Sequence, residues 1–189
     1  GASFDELITI TNSEDGKKFF LGFAHVINAM RKCPKIIICR VHGKAIGGGV
    51  GIAAAADYCM ATNYGTIKLS ELALGIGPFV IGPAVERKIG LSAFSQLALN
   101  ATEWQTALWA KEKGLYHEVF DSIEQLDAYV DELSQRLAAT SSSALLALKQ
   151  ALWHDTQHWD QLLEERAGIS GRLVITEASQ KAIRESKIV

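Results

Sequence analysis

At 189 residues, 48 % hydrophobic and 21 % charged, the chain carries apolar material for a packed core and enough charge to stay in solution. A net charge of −2, with Lys and Arg scattered along the chain, excludes the concentrated basic footprint of a nucleic-acid binder. No apolar run approaches the roughly 20 residues that cross a bilayer, and Cys33, Cys39 and Cys59, odd in number and without CxxC spacing, supply neither a disulfide framework nor a zinc site.

Buried, reduced thiols and a cytoplasmic setting are the expectation. The chain opens on GASFDEL, and residues 16–33 then read as an amphipathic helix with Phe19, Phe20, Phe23, Ile27 and Met30 on or near one face. Residues 35–41 (KIIICRV) form a β-branched-rich run without alternation, which predicts a strand buried on both faces of a parallel sheet. Residues 41–62, VHGKAIGGGVGIAAAADYCMAT, pass from that strand through Gly47, Gly48 and Gly49 into a small-residue helix at 51–56. Residues 57–62 and 66–69 read as strands, 83–89 as a short helix ended by Gly90, and 93–99 as a helix capped by Ser92. Thr102 with Gln105 spells a capping box for a helix that Gly114 ends, after which 115–120 returns as a strand. Helices follow at 123–138, 143–154, 160–172 and 177–185, with no internal repeat.

The glycine run bears on chemistry in one of two ways. Three contiguous glycines permit a tight strand-to-helix turn with close packing and nothing more. They equally let a ligand approach helix amides that lack intrahelical partners and sit at the positive end of the helix dipole, where an oxygen gaining negative charge is held. The familiar phosphate motifs do not fit the spelling. Lys44 follows Gly43 but precedes Ala45, with no glycine five residues earlier, and the contiguity of Gly47, Gly48 and Gly49 breaks the GxGxxG fingerprint.

Together with TIKLSELALGIGP at residues 66–78 and ALWAKEKGLYHEVF at residues 107–120, the HGKAIGGGVGIAAAADYCMAT segment closely resembles the crotonase superfamily, the enoyl-CoA hydratase and isomerase group, in order and spacing. The resemblance runs from Gly1 to the C-terminal helices. It implies an α/β fold, with a crotonase-like ββα spiral core at residues 1–121 and a C-terminal helical oligomerisation region at residues 122–189. Homotrimers or hexamers are implied with it. GASFDEL then corresponds to the family's AGAD-type segment, and the amides of Ala2 and Gly48 hold the thioester oxygen of an acyl-CoA substrate. Several strands normally precede that segment in the family, so the N-terminal part of the domain is expected to be missing from this chain. No metal, nicotinamide or flavin is implied.

In the SELALG run, Glu71 matches the family's acid/base glutamate. Two amides on a thioester oxygen make the α-proton acidic, and one base beside it moves protons. A departure from the family pattern bears on the reaction. The hydratases place a second glutamate two residues after the triple glycine, where this chain has Gly51 following Val50. Three readings follow: an enoyl-CoA isomerase using Glu71 alone; a hydratase, such as one like methylglutaconyl-CoA hydratase, with its water held by another group; and a non-catalytic or RNA-binding relative.

His154 and His158, four apart with Asp155 between them, only superficially match the HExxH zinc spelling, and Trp153, Trp159, Leu162 and Leu163 around them suggest a packed helical hairpin. After Glu71, where family members often carry a PGAGG-like turn, this chain has GIGPFVIGP at 75–83. Phe79, Val80 and Ile81 replace small residues there, which predicts a narrowed or redirected acyl site.

Overall fold

The structure of the chain, a computed structural model, describes residues 2–186. α1 (Phe4–Thr9) starts where Ser3 Oγ accepts the Glu6 amide, and α2 (Ser13–Lys32) where Asn12 Oδ1 accepts the Asp15 amide. The predicted start at Gly16 was late because the first turn of α2, Ser13 to Asp15, is polar and carries no hydrophobic period. β1 (Ile38–Val41) leads through β2 (Ala45–Ile46) into α3 (Gly48–Ala55). β3 (Tyr58–Thr62) leads through β4 (Ile67–Lys68) and one 3-10 turn (Leu72–Leu74) into α4 (Gly82–Leu99). A third pass gives α5 (Ala107–Glu112) and β5 (Glu118–Phe120).

Each of the first two passes thus contributes one strand to each of two sheets before its helix. β1, β3 and β5 pair in parallel in the order β1-β3-β5, with Cys39 opposite Cys59 and Ala61 opposite Val119, while β2 and β4 pair in parallel beside them. That repeat is the ββα spiral expected of the core. α6 (Ile123–Ala138), α7 (Ser142–Leu152), α8 (Trp159–Leu173) and α9 (Glu177–Ser186) form the helical region that follows.

Several predicted bounds are corrected, each for a visible reason. The run at 35–41 pairs only from Ile38, because the Ile37 amide donates to Asp57 Oδ2 at 2.8 Å and the Ile37 carbonyl accepts the Asp57 and Tyr58 amides. Leu115 and Tyr116 lie outside β5, since both their amides donate to Ala110 at the end of α5. The two helices read at 83–89 and 93–99 run into one another as α4, broken only at Gly90 with φ 76° and ψ 160°. α5 is capped by Thr106, whose Oγ1 accepts the Trp109 amide at 3.0 Å, and not by Thr102. Gln105 could not join that helix, because its backbone exchanges two 2.9 Å hydrogen bonds with Ile67.

The core is centred on α3 and β3, where Ala53 to Ala56 and Cys59 to Ala61 are at most 1 % exposed. Cys33 and Cys39 are partly exposed, so only Cys59 meets the expectation of buried thiols, and all three are free. α8 lies against α2 so closely that a Cβ on Gly171 would stand 2.4 Å from the Lys17 amide nitrogen. Beneath the C-terminal helices Asp57 and Lys149 form a 2.6 Å ion pair with side chains 2 % and 3 % exposed. Lys149 also donates to the Met30 carbonyl, and Trp153 Nε1 donates to Asp57 Oδ1, which ties α2 and α7 to the start of β3. Among the described residues no helix is long and apolar enough to cross a membrane.

Candidate active site

β2 and β4 are parallel neighbours, so their C-terminal ends open at one place. β2 runs into Gly47 and Gly48, and β4 runs into Ser70 and Glu71. The Gly47 amide donates to the Lys68 carbonyl at 2.9 Å, and the chain then turns through φ 52° and ψ −116°, a conformation that excludes a side chain. A Cβ there would also meet Glu71 Oε1 at 2.7 Å, so the bare backbone of Gly47 is the surface on which the carboxylate rests. Gly48 opens α3, and among the described residues no backbone hydrogen bond uses its amide.

These elements border a cavity of about 270 Å³. Ala2, Gly48 and Glu71, the three residues that the sequence singled out, all line it. Gly1, the first residue of the GASFDEL segment, lies outside the described residues. α1 and α2 close the cavity with Phe4, Leu7, Phe20 and Phe23, and the chain after Glu71 supplies Leu74 and residues 76–81. Glu71 is the sole charged residue among the described lining, with Ser70 and Ser170 the other polar side chains.

The apolar walls set the carboxyl's chemistry. Part of Glu71 is reached through the cavity, but Oε2 is shut from solvent and has no hydrogen-bond partner. Burial pushes the Glu71 carboxyl up to about 7, offset in part by a hydrogen bond from its own amide. A carboxyl poised there both takes and returns a proton near neutrality. If the base form starts the reaction, the rate should rise with pH through a limb near 7 and not near the ordinary 4.5. A profile of kcat against pH checks this, and a limb at 4.5 would contradict the assignment.

The backbone around Glu71 is held from two sides. Its carbonyl accepts the Leu74 and Ile76 amides at 3.1 and 3.0 Å, which closes the turn behind it. Ser179 of α9, fully buried, donates its hydroxyl to the Gly75 carbonyl at 3.2 Å and so braces that turn from the C-terminal region. Sequence reasoning missed Ser179, since an isolated Ser on a polar helix carries no signal. It also missed Phe4, and it read Phe20 and Phe23 as core without placing them on the cavity.

Ile81, which the sequence set beside the acyl site, also packs against Gly51. A Cβ on Gly51 would stand 2.5 Å from Ile81 Cγ2 and 2.6 Å from Ile81 Cβ. The direction in which a second carboxylate would project is therefore filled by an isoleucine that is 4 % exposed. His154 and His158 play no part here. α7 ends at Leu152, Asp155 sits at φ 61°, and His158 precedes α8, so the two imidazoles do not share a helix face. Among the described residues no three or more His, Cys, Asp or Glu side chains gather as metal ligands.

A sequence profile described as Enoyl-CoA hydratase/isomerase matches residues 1–188. The peroxisomal Delta(3,5)-Delta(2,4)-dienoyl-CoA isomerase of Arabidopsis thaliana is 30 % identical over 145 residues, which cover 75 % of this chain and 51 % of that protein. The 2,3-dehydroadipyl-CoA hydratase of Escherichia coli K12 is 36 % identical over 119 residues, 62 % of this chain and 46 % of that protein. The crystal structure of an enoyl-CoA hydratase from Bacillus halodurans superposes with a TM-score of 0.86 at 21 % identity, covering 98 % of this chain and 75 % of that one. At that identity the likeness is one of fold, and the chain spans about half the length of the curated relatives it matches.

Proposed function

The chain belongs to the enoyl-CoA hydratase/isomerase family, and from that premise we propose that it shifts the double bond of an acyl-CoA thioester with Glu71 as its one acid/base. The observation that carries this reading is the single carboxylate among the described lining of the cavity, with Ile81 filling the space where a second would project from position 51. The amides of Ala2 and Gly48 hold the thioester oxygen. Glu71 takes a proton from C2 of a 3-enoyl chain, the electron pair left at C2 delocalises through C1 onto that oxygen and through C3 onto C4, and the protonated carboxyl returns the proton at C4 as the C2–C3 double bond forms. One C–H bond breaks, one forms, and the double bond moves into conjugation. Stabilising the developing oxyanion and positioning the base are the chain's contributions.

Hydration is the second reading, favoured by Ser70 and Ser170, which line the same cavity and bring hydroxyls to which a water can bond. An apolar wall beside a lone carboxylate fits it less well, because adding water needs one group to orient the water and another to deliver the proton. A protein that only bound ligands would gain nothing from an unpartnered buried carboxyl, which costs stability. Assembly into trimers or hexamers is part of the proposal, supported by Leu91, Leu99 and Leu108, which are 65 %, 72 % and 62 % exposed on α4 and α5.

Product analysis separates the first two readings. Given 3-enoyl-CoA and 2-enoyl-CoA in parallel, the protein should convert the first to the second and leave the second nearly unhydrated. Rapid formation of 3-hydroxyacyl-CoA from either would favour the hydratase.

A further inference from the structure

The cavity described above has a neighbour. A second cavity of about 250 Å³ lies against it, and Gly77, Pro78 and Phe79 line both. The far side of the second cavity is largely apolar, with Leu72, Phe94, Ala98 and Leu99, and it carries Glu86 and Arg166 as well. Of the three residues that the two spaces share, Phe79 carries by far the largest side chain, a phenyl ring.

That ring is held in place. The Phe79 amide donates to the Gly77 carbonyl at 3.0 Å, so residues 77–79 make the tightest of turns. The turn folds the phenyl back onto Gly77, where a Cβ would stand 2.7 Å from a ring carbon. Val80 and Ile81, both 4 % exposed, anchor the next two residues in the core, and α4 begins directly after them at Gly82, with Pro83 in its first turn. The backbone that carries the ring is thus held on both sides.

Resting on the acyl-CoA reading above, we propose that Phe79 is the length stop of this site: the first cavity takes a short, uncharged acyl tail, and the ring keeps longer chains out of the second. The uncharged preference has its own ground. The described lining of the first cavity holds no Lys, Arg or His to meet a terminal carboxylate, and its one charge is the acid/base itself. A tail carboxylate would be desolvated there with no cation to receive it. At about 270 Å³ the cavity lies below the usual range for drug-sized ligands, which suits a few carbons beyond the thioester and not a long chain.

The test is binding, which does not depend on turnover. Saturated acyl-CoAs from butyryl to dodecanoyl are titrated calorimetrically into the full chain and into Phe79→Ala and Phe79→Leu, the latter guarding against a variant that fails to fold. In the unmodified protein the affinity should stop rising once the tail reaches the ring. In the variants it should keep rising past that length, by about fourfold per added carbon as each methylene is buried in the second cavity. Adding Ala98→Phe to either variant, which refills the second cavity, should cancel the gain. Adipyl-CoA should bind the unmodified protein at least about tenfold more weakly than hexanoyl-CoA. Parallel chain-length profiles in all proteins would overturn the length stop while leaving the acyl-CoA reading intact, and equal affinity for adipyl-CoA would overturn the preference for an uncharged tail. Failure to bind any acyl-CoA would remove both this inference and the reading it rests on.

Discussion

Glu71→Gln is expected to lower the rate of double-bond transfer by about 10³-fold, within the range that one general acid/base group supplies. Gln keeps the shape of the side chain but neither accepts nor returns a proton. The same substitution should make the protein more stable at pH 8. The Glu71 carboxyl is pushed up to about 7 by burial, from an ordinary 4.5, so the folded state binds that proton more tightly than the unfolded state does. The resulting sign is that stability falls as pH rises from 4.5 through 7, and the full penalty is present above 7. Removing the charge should recover about 1–3 kcal/mol there, less than the whole shift because the new amide also lacks a partner. Urea unfolding at pH 4 and pH 8 checks the pattern: the gain should be large at pH 8 and nearly absent at pH 4. Loss of activity with equal gains at both values would mean that the charge of Glu71 is not what the cavity tolerates for function.

Lys149→Met should cost about 3–5 kcal/mol, the second large effect. Its ammonium is 2.6 Å from Asp57 Oδ2 and bonds the Met30 carbonyl, in a pocket where both side chains are nearly inaccessible. Once it is gone, Asp57 keeps the Ile37 amide and Trp153 Nε1 but loses its ion pair, with Arg87 and Lys88 left to act on it from farther away. Asp57→Asn combined with Lys149→Met should be markedly less destabilised than the two single losses summed, because the double change removes both charges. Urea midpoints of the four proteins give the coupling directly, and strict additivity would show that the pair carries no energy of its own. This network lies at the start of β3 and under α7, away from the cavity, so the rate per folded molecule should not change.

The parts of the site that were legible in the sequence are those built from backbone and from one unusual spelling. Gly47, Gly48 and the SELALG run pointed to each other through their order, and the parallel pairing of β2 with β4 brings them together. Neither strand was plain as such: β2 is two residues long, too short for any period, and β4 was read with one extra residue at each end. Gly51 was legible as the absence of a carboxylate, but what stands in its place was not. Only packing reveals that Ile81, thirty residues away, fills that direction. The capping box at Thr102 was misread because a tertiary bond, Ile67 to Gln105, overrides a local preference. Lys149 was invisible for a related reason. A lysine on an amphipathic helix is ordinarily a solvated residue, and its burial depends on an aspartate 92 positions earlier.

The account's central claim is that one carboxylate carries a proton from C2 to C4 of the same acyl chain. The most direct measurement is isomerisation of 3-enoyl-CoA in deuterated water, with the deuterium at C4 of the first-formed product read by mass spectrometry and NMR. A single buried base returns part of the proton it removed before solvent replaces it, so the product at early times should hold clearly less than one deuterium at C4, and no 3-hydroxyacyl-CoA should accompany it. Full deuteration at C4 from the first turnover, or a hydrated product in its place, would contradict it.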